Sequence, residues 1–237
     1  MLLVSTNTVE LSTVVKRLLI QKHVIVHGAP GTGKSFIGQR TVLYSLSQGL
    51  RTISTSLMAA RANAIGGIHL HRLFSWSSQQ NFSHPYRCAE LAMEKTRNRK
   101  TILHILLTVD VMFLDEAGQV SAEQLITIDI ILRELRRSQI PFGGVLLLGT
   151  MDHCQLQPIN MLPFLMCSLI TTSFTMVQLN ESVRAATDPL FHEFQIPTRA
   201  NPFALRNDSA MKDRFFIWLT IFSNMLMIGL IRRSLQR

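Results

Sequence analysis

The sequence predicts an α/β fold, a parallel sheet with helices on both faces. Three observations point to it. Short apolar runs recur along the chain, and helical patterns separate them. The first run flows into a glycine-rich turn that opens a helix. A later run ends on two adjacent carboxylates, Asp115 and Glu116. Open sheets of this kind bind ligands beyond the carboxyl ends of their strands.

The elements follow in order. Residues 1–22 carry Leu11, Val14, Val15, Leu18 and Leu19 at helical spacing, which predicts a helical lead-in beside the first strand. Residues 23–27 read as a buried strand. Residues 35–46 read as a helix, with Phe36, Val42, Leu43 and Leu46 as its apolar face, and Gly49 stops it. Residues 52–55 form the second strand candidate. Residues 57–64 are Ala-rich and read as a helix that ends at Gly66-Gly67. Residues 75–101 are polar and read as irregular, with a basic cluster at Lys95, Arg97, Arg99 and Lys100. Residues 109–114 form the third strand. Ser121-Ala122-Glu123-Gln124 fits a capping box. The helix it opens presents Leu125, Ile128, Leu132 and Leu135, and residues 141–144 break it. Residues 145–148 and 175–179 supply two further strands. No internal repeat is visible.

The glycine-rich turn is Gly28-Ala29-Pro30-Gly31-Thr32-Gly33-Lys34-Ser35, which fits G-x-x-x-x-G-K-[ST] without a mismatch. Glycines let the backbone wrap closely around a phosphate, so that several N–H groups point at it. The helix N-terminus adds favourable partial positive charge. Lys34 is placed to reach the β- and γ-phosphates of a nucleotide, and the Ser35 hydroxyl to hold Mg2+. Asp115 is expected to coordinate the same ion, directly or through water. Glu116 is expected to polarise an attacking water as general base.

Composition narrows the partner class. The net charge of +9 lies wholly in the first half of the chain. Residues 1–110 hold 13 Lys/Arg against 4 Asp/Glu, whereas residues 111–237 hold 11 of each. A basic half suits a polyanion such as nucleic acid, although a plain solvated basic surface has the same composition. Cys88, Cys154 and Cys167 make neither a disulfide framework nor a metal-ligand spacing, which points to a reducing compartment, the nucleus or another. The first residues lack the charged, apolar, small-residue pattern of a secretory signal.

Three more segments choose a family. Gly66-Gly67-Ile68-His69-Leu70-His71 follows the second strand, residues 149–158 contain Asp152, Gln155, Leu156 and Pro158, and residues 179–184 run from Leu179 to Arg184. In this order the motifs resemble the first motor domain of a superfamily 1B DNA helicase of the Pif (petite integration frequency) type, over about residues 23–195. The resemblance implies a RecA-like P-loop NTPase domain that uses ATP and Mg2+. In the family, hydrolysis is coupled to single-stranded DNA binding and 5'-to-3' translocation. It implies that Gly66, Gly67, His69 and His71 contact the single strand, with His69 in place of the family's threonine. Gln155 would sense the γ-phosphate and Arg184 would stabilise its transition-state charge. Thr150 and Met151 stand between the fourth strand and Asp152, where the family has Gly-Asp.

The motifs of a second motor domain are not found after Gln195, so a fragment of such a helicase is expected. Residues 196–214 read as a polar linker. Residues 215–231 form an apolar run of 17, near the lower limit of about 20 for a membrane span. A C-terminal anchor is one reading of that run. A buried helix, or sequence from a mis-joined gene model, is the favoured one. Two other functions remain open: an AAA-type ATPase, and a catalytically silent nucleotide- or DNA-binding remnant of a mobile element.

Overall fold

Strand β1 (His23–Gly28) lies inside a six-stranded sheet, next to one edge. The computed structural model describes residues 23–77, 79–152, 158 and 160–180, all within the first of the chain's two units, Met1–Asn180. The other strands are β2 (Thr52–Ser56), β3 (Ile68–His69), β4 (Val111–Asp115), β5 (Leu146–Met151) and β6 (Phe174–Leu179). Their order is β3-β2-β4-β5-β1-β6, and every pairing is parallel. The helices between them are α1 (Lys34–Ser47), α2 (Ala59–Ala64), α3 (Leu70–Leu73), α4 (Pro85–Arg97), α5 (Lys100–Thr108), α6 (Ala122–Arg136) and α7 (Ser168–Ser173).

Both faces of the sheet are covered, as a run of continuously apolar parallel strands requires. Neighbouring side chains in a strand point to opposite faces. Ile25, Met112, Leu114 and Leu147 join the larger core, with Leu106 of α5 and Leu125, Ile128 and Leu132 of α6. Val24, Val26, Phe113 and Leu148 face the other way and pack with Ile37 of α1. The capping box is present: Ser121 Oγ accepts from the Gln124 N–H at 3.1 Å, and Gln124 Oε1 accepts from the Ser121 N–H at 2.9 Å. Leu125, Ile128 and Leu132 are buried and Leu135 partly so, as their spacing predicts.

Four expectations are corrected. The buried face of α1 is Ile37, Gly38, Thr41 and Ser45, while Phe36, Leu43 and Leu46 are exposed by half or more. The helix approaches the sheet too closely for large side chains. Thr41 and Ser45 are admitted because their hydroxyls donate to the Ile37 and Thr41 carbonyls one turn back. Residues 75–101 are not irregular throughout, because they contain α4 and the start of α5. Pro85 opens α4, and its buried face is Cys88, Ala89, Ala92 and Thr96, too small and mixed to stand out as apolar. The sheet also gains a sixth strand, the two-residue β3 at its edge. Finally, the strand predicted over residues 145–148 runs on to Met151, paired Val26↔Thr150 and His27↔Met151 with β1. Thr150 and Met151 therefore belong to the strand rather than to a longer loop. Asp152 follows the strand directly, and Met151 stands where the family has glycine.

Gly38 gives a stability test. A Cβ there would lie 2.4 Å from two ring carbons of Phe113, which is fully buried. Gly38→Ala should gain about 1 kcal/mol of helix propensity. Overpacking should remove about 1–3 kcal/mol. A lower urea midpoint is expected, and a variant as stable as the parent would show that α1 has room to move.

The predicted lead-in helix (residues 1–22), Cys154, Gln155, Arg184 and the tail (residues 196–237) lie outside the described residues. Cys88 and Cys167 are buried free thiols. Among the described residues no helix is long and apolar enough to cross a membrane.

Candidate nucleotide site and neighbouring groove

The strand order brings the two chemical motifs together. β5 lies between β1 and β4, so Gly28, Asp115 and Thr150 emerge at the same edge of the sheet. Gly33 caps α1 with φ 85°, a left-handed conformation that glycine adopts without the penalty a Cβ brings. Thr32 Oγ1 donates to the Ala29 carbonyl at 2.9 Å and closes the loop on itself. The buried Lys34 folds back over the same loop, and its Nζ donates to the carbonyls of Gly28 at 3.0 Å and Ala29 at 2.8 Å. The ammonium is thus held within the loop that the motif assigns to phosphate.

Ser35 is the second residue of α1, and its Oγ donates to Asp115 Oδ1 at 3.1 Å. Eighty residues separate the two in sequence. Asp115 is fully buried at the tip of β4. A hard cation with oxygen ligands suits this pair: one carboxylate and one hydroxyl leave the remaining positions to phosphate oxygens and water, as Mg2+ sites commonly do. Among the described residues no group of three or more His, Cys, Asp or Glu could hold a metal ion.

Glu116 follows in a left-handed conformation, φ 57° and ψ 47°, unusual for a residue with a Cβ. Strain of this kind gathers at functional sites. Burial pushes the Glu116 carboxyl above the usual carboxylate range, and the Asp115 charge adds to the rise, while Arg61 and Lys34 oppose it.

Two residues that sequence reasoning missed complete the centre. Thr150 Oγ1 donates to Asp115 Oδ1 at 2.6 Å and accepts from the Glu116 backbone N–H at 3.2 Å. One hydroxyl therefore fixes both carboxylate residues. A polar residue closing the run Leu146-Leu147-Leu148-Gly149 was the available signal. Arg61, on α2, donates through Nη2 to Asp115 Oδ2 at 2.5 Å and to Ser35 Oγ at 3.0 Å. Its signal was a lone charge in the helix Ala-Ala-Arg-Ala-Asn-Ala.

The second predicted segment lies just beyond α2. Gly67 passes so close to β2 that a Cβ would stand 2.3 Å from the Ser54 carbonyl oxygen, so only glycine fits. His69 and His71 stack with ring centroids 5.2 Å apart and 17° between planes. His69 Nε2 lies 2.7 Å from the Leu57 carbonyl oxygen. Burial lowers the His71 pKa, with the His69 charge acting in the same direction. Both rings line a groove of about 560 Å³ together with Arg72, Trp76, Lys95 and Arg99. Of the predicted basic cluster, Lys95 and Arg99 reach the groove; Arg97 and Lys100 do not line it.

A family model described as PIF1-like helicase matches residues 9–189. The chain belongs to that family. ATP-dependent DNA helicase PIF1 of Danio rerio is 34% identical over 152 residues, which cover 64% of this chain and 22% of the relative. ATP-dependent DNA helicase RRM3 of Saccharomyces cerevisiae is 31% identical over 61% of this chain and 20% of its own length. The chain thus spans about a fifth of the length of these curated relatives. Among solved structures, the Pif1 helicase of Candida albicans superposes with a TM-score of 0.71 at 26% identity, over 80% of this chain and 43% of that one. Pif1 from Bacteroides in complex with ADP-AlF3 and single-stranded DNA superposes at 0.66 and 23% identity, over 86% of this chain and 48% of that one, a likeness of fold. The sheet is the RecA-like motor-domain fold of the PIF1-like helicases, and family membership replaces the AAA-type alternative.

Proposed function

We propose that this chain carries the ATP-hydrolysing motor domain of a Pif-type DNA helicase, driven by Mg2+-ATP and engaged on single-stranded DNA. The observation that carries the reading is the Ser35 hydroxyl on the Asp115 carboxylate at 3.1 Å, with Lys34 and Glu116 beside them. These are the groups that binding a nucleoside triphosphate and activating water require, met at one sheet edge. Ser35 and Asp115 would hold Mg2+, which would neutralise developing phosphate charge. Lys34 turns from the loop carbonyls to the phosphates. Glu116 takes the proton of the attacking water. Gln155 is proposed to sense the γ-phosphate and Arg184 to stabilise its transition-state charge, by the motifs they belong to.

Single-stranded DNA is assigned to the segment Gly66–His71 and the groove beside it. Lys95, Arg72 and Arg99 suit phosphates, and the stacked histidines suit a base face.

The test is ATP turnover by the purified chain with and without an oligothymidylate at low salt. Single strands are expected to stimulate hydrolysis, and stimulation should fall steeply with salt, because phosphate contacts release counterions. Hydrolysis absent under both conditions leaves the silent-remnant reading standing. Hydrolysis indifferent to DNA rejects the groove assignment.

A further inference from the structure

We propose that Arg61 is a resident cation of the metal site, which a divalent ion must displace as the nucleotide loads. The proposal rests on the assignment of Ser35 and Asp115 to Mg2+. One nitrogen, Arg61 Nη2, bridges the two oxygens given to the ion, 2.5 Å from Asp115 Oδ2 and 3.0 Å from Ser35 Oγ. Asp115 is fully buried, and a buried carboxylate needs a positive partner. Without metal, Arg61 provides it. Thr150 and Ser35 donate to the other carboxylate oxygen, so Asp115 is satisfied on both sides.

Arginine and metal exclude one another at this point. Ser35 Oγ spends its proton on Asp115 and a lone pair on Arg61, and coordination to Mg2+ would use a lone pair on that same side. The Asp115 oxygen that faces Arg61 is likewise the one free of the other donors. The hold on the arginine is incomplete. Its Nε is buried and makes no hydrogen bond, so the guanidinium is not bound as a two-pronged fork. Its side chain is 37% exposed and can pass into water when it leaves. A compact divalent ion that also gains phosphate oxygens outcompetes such a cation only above a threshold concentration. Arg61 therefore sets the Mg2+ requirement of the site and keeps the buried carboxylate paired between turnovers.

Two readouts test this without measuring turnover. The first is binding of a fluorescent N-methylanthraniloyl-ATP as Mg2+ is titrated. Arg61→Gln should lower the half-saturating Mg2+ by about tenfold, the worth of one lost charge-assisted competitor. Arg61→Lys keeps a cation and protects the fold, and should fall between Gln and the parent. The second is thermal melting without nucleotide. Arg61→Gln should melt below the parent, and millimolar Mg2+ should recover more of its melting temperature than it adds to the parent. Equal Mg2+ midpoints for the parent and both variants, or a higher one for Gln, overturn the proposal. If the parent and both variants show no Mg2+-dependent nucleotide binding, the assignment of the site itself fails.

Discussion

Lys34→Ala is expected to remove measurable nucleotide binding while leaving the fold intact. The ammonium is buried in the loop, where it bonds the carbonyls of Gly28 and Ala29, which under the proposed function it exchanges for phosphate oxygens. Charge-assisted bonds in such a site are about twice as strong as neutral ones. Truncating one partner of a buried charge pair costs about 2–5 kcal/mol, which corresponds to an affinity loss of about 30- to 5,000-fold. The fold should survive, because the strand and helix that flank the loop bury their own apolar faces through Val24, Val26 and Ile37. A second consequence follows from charge. Lys34 is one of the groups that hold the Glu116 carboxyl down, so its loss should push that carboxyl further up. Isothermal titration with Mg2+-ATP at matched folded fraction is the measurement. An affinity within threefold of the parent would show that the loop does not bind phosphate through Lys34.

The strands and the phosphate loop were legible in the sequence because their signals are local. A short apolar run with a turn behind it reads the same wherever it packs, as residues 24–26 do. The capping box at Ser121 was legible for the same reason. The buried face of α1 was not, because it is decided by distance to the sheet. Gly38 lies against the Phe113 ring, and that proximity, not hydrophobicity, selects the small residues. α4 was hidden by its small buried face, Cys88, Ala89 and Ala92, beneath a charged surface. The site divides the same way. Lys34, Ser35, Asp115 and Glu116 carry motif spacing, and the structure brings them together. Thr150 and Arg61 act through contacts 35 and 54 residues away, which no local pattern encodes. β3 is two residues long, and its place is set by pairing Thr55↔Ile68 with β2 rather than by its own composition.

Glu116→Gln is expected to separate binding from chemistry. The amide keeps the size of the side chain and the left-handed backbone at φ 57°, but it cannot take a proton from water. Loss of a positioned general base typically lowers turnover by about 10²–10⁴-fold. Nucleotide affinity should hold or improve, since one negative charge leaves the neighbourhood of the phosphates. The pH dependence follows from the raised carboxyl. As the proposed base Glu116 would act only when ionised, so parent turnover should rise with pH through an acid limb above the ordinary carboxylate range. Stability runs the other way. A carboxyl with a raised pKa in the folded state holds its proton more tightly there than in the unfolded chain, so stability falls as pH rises past the unfolded value. Burial, the largest cause of the rise, penalises the charged form. Glu116→Gln removes that charge. It should therefore melt above the parent at neutral pH, with the difference closing as the medium is acidified. Retained turnover in Glu116→Gln would move the base elsewhere. A parent more stable than the variant at neutral pH would show that the ionised carboxylate is held by favourable contacts rather than by strain.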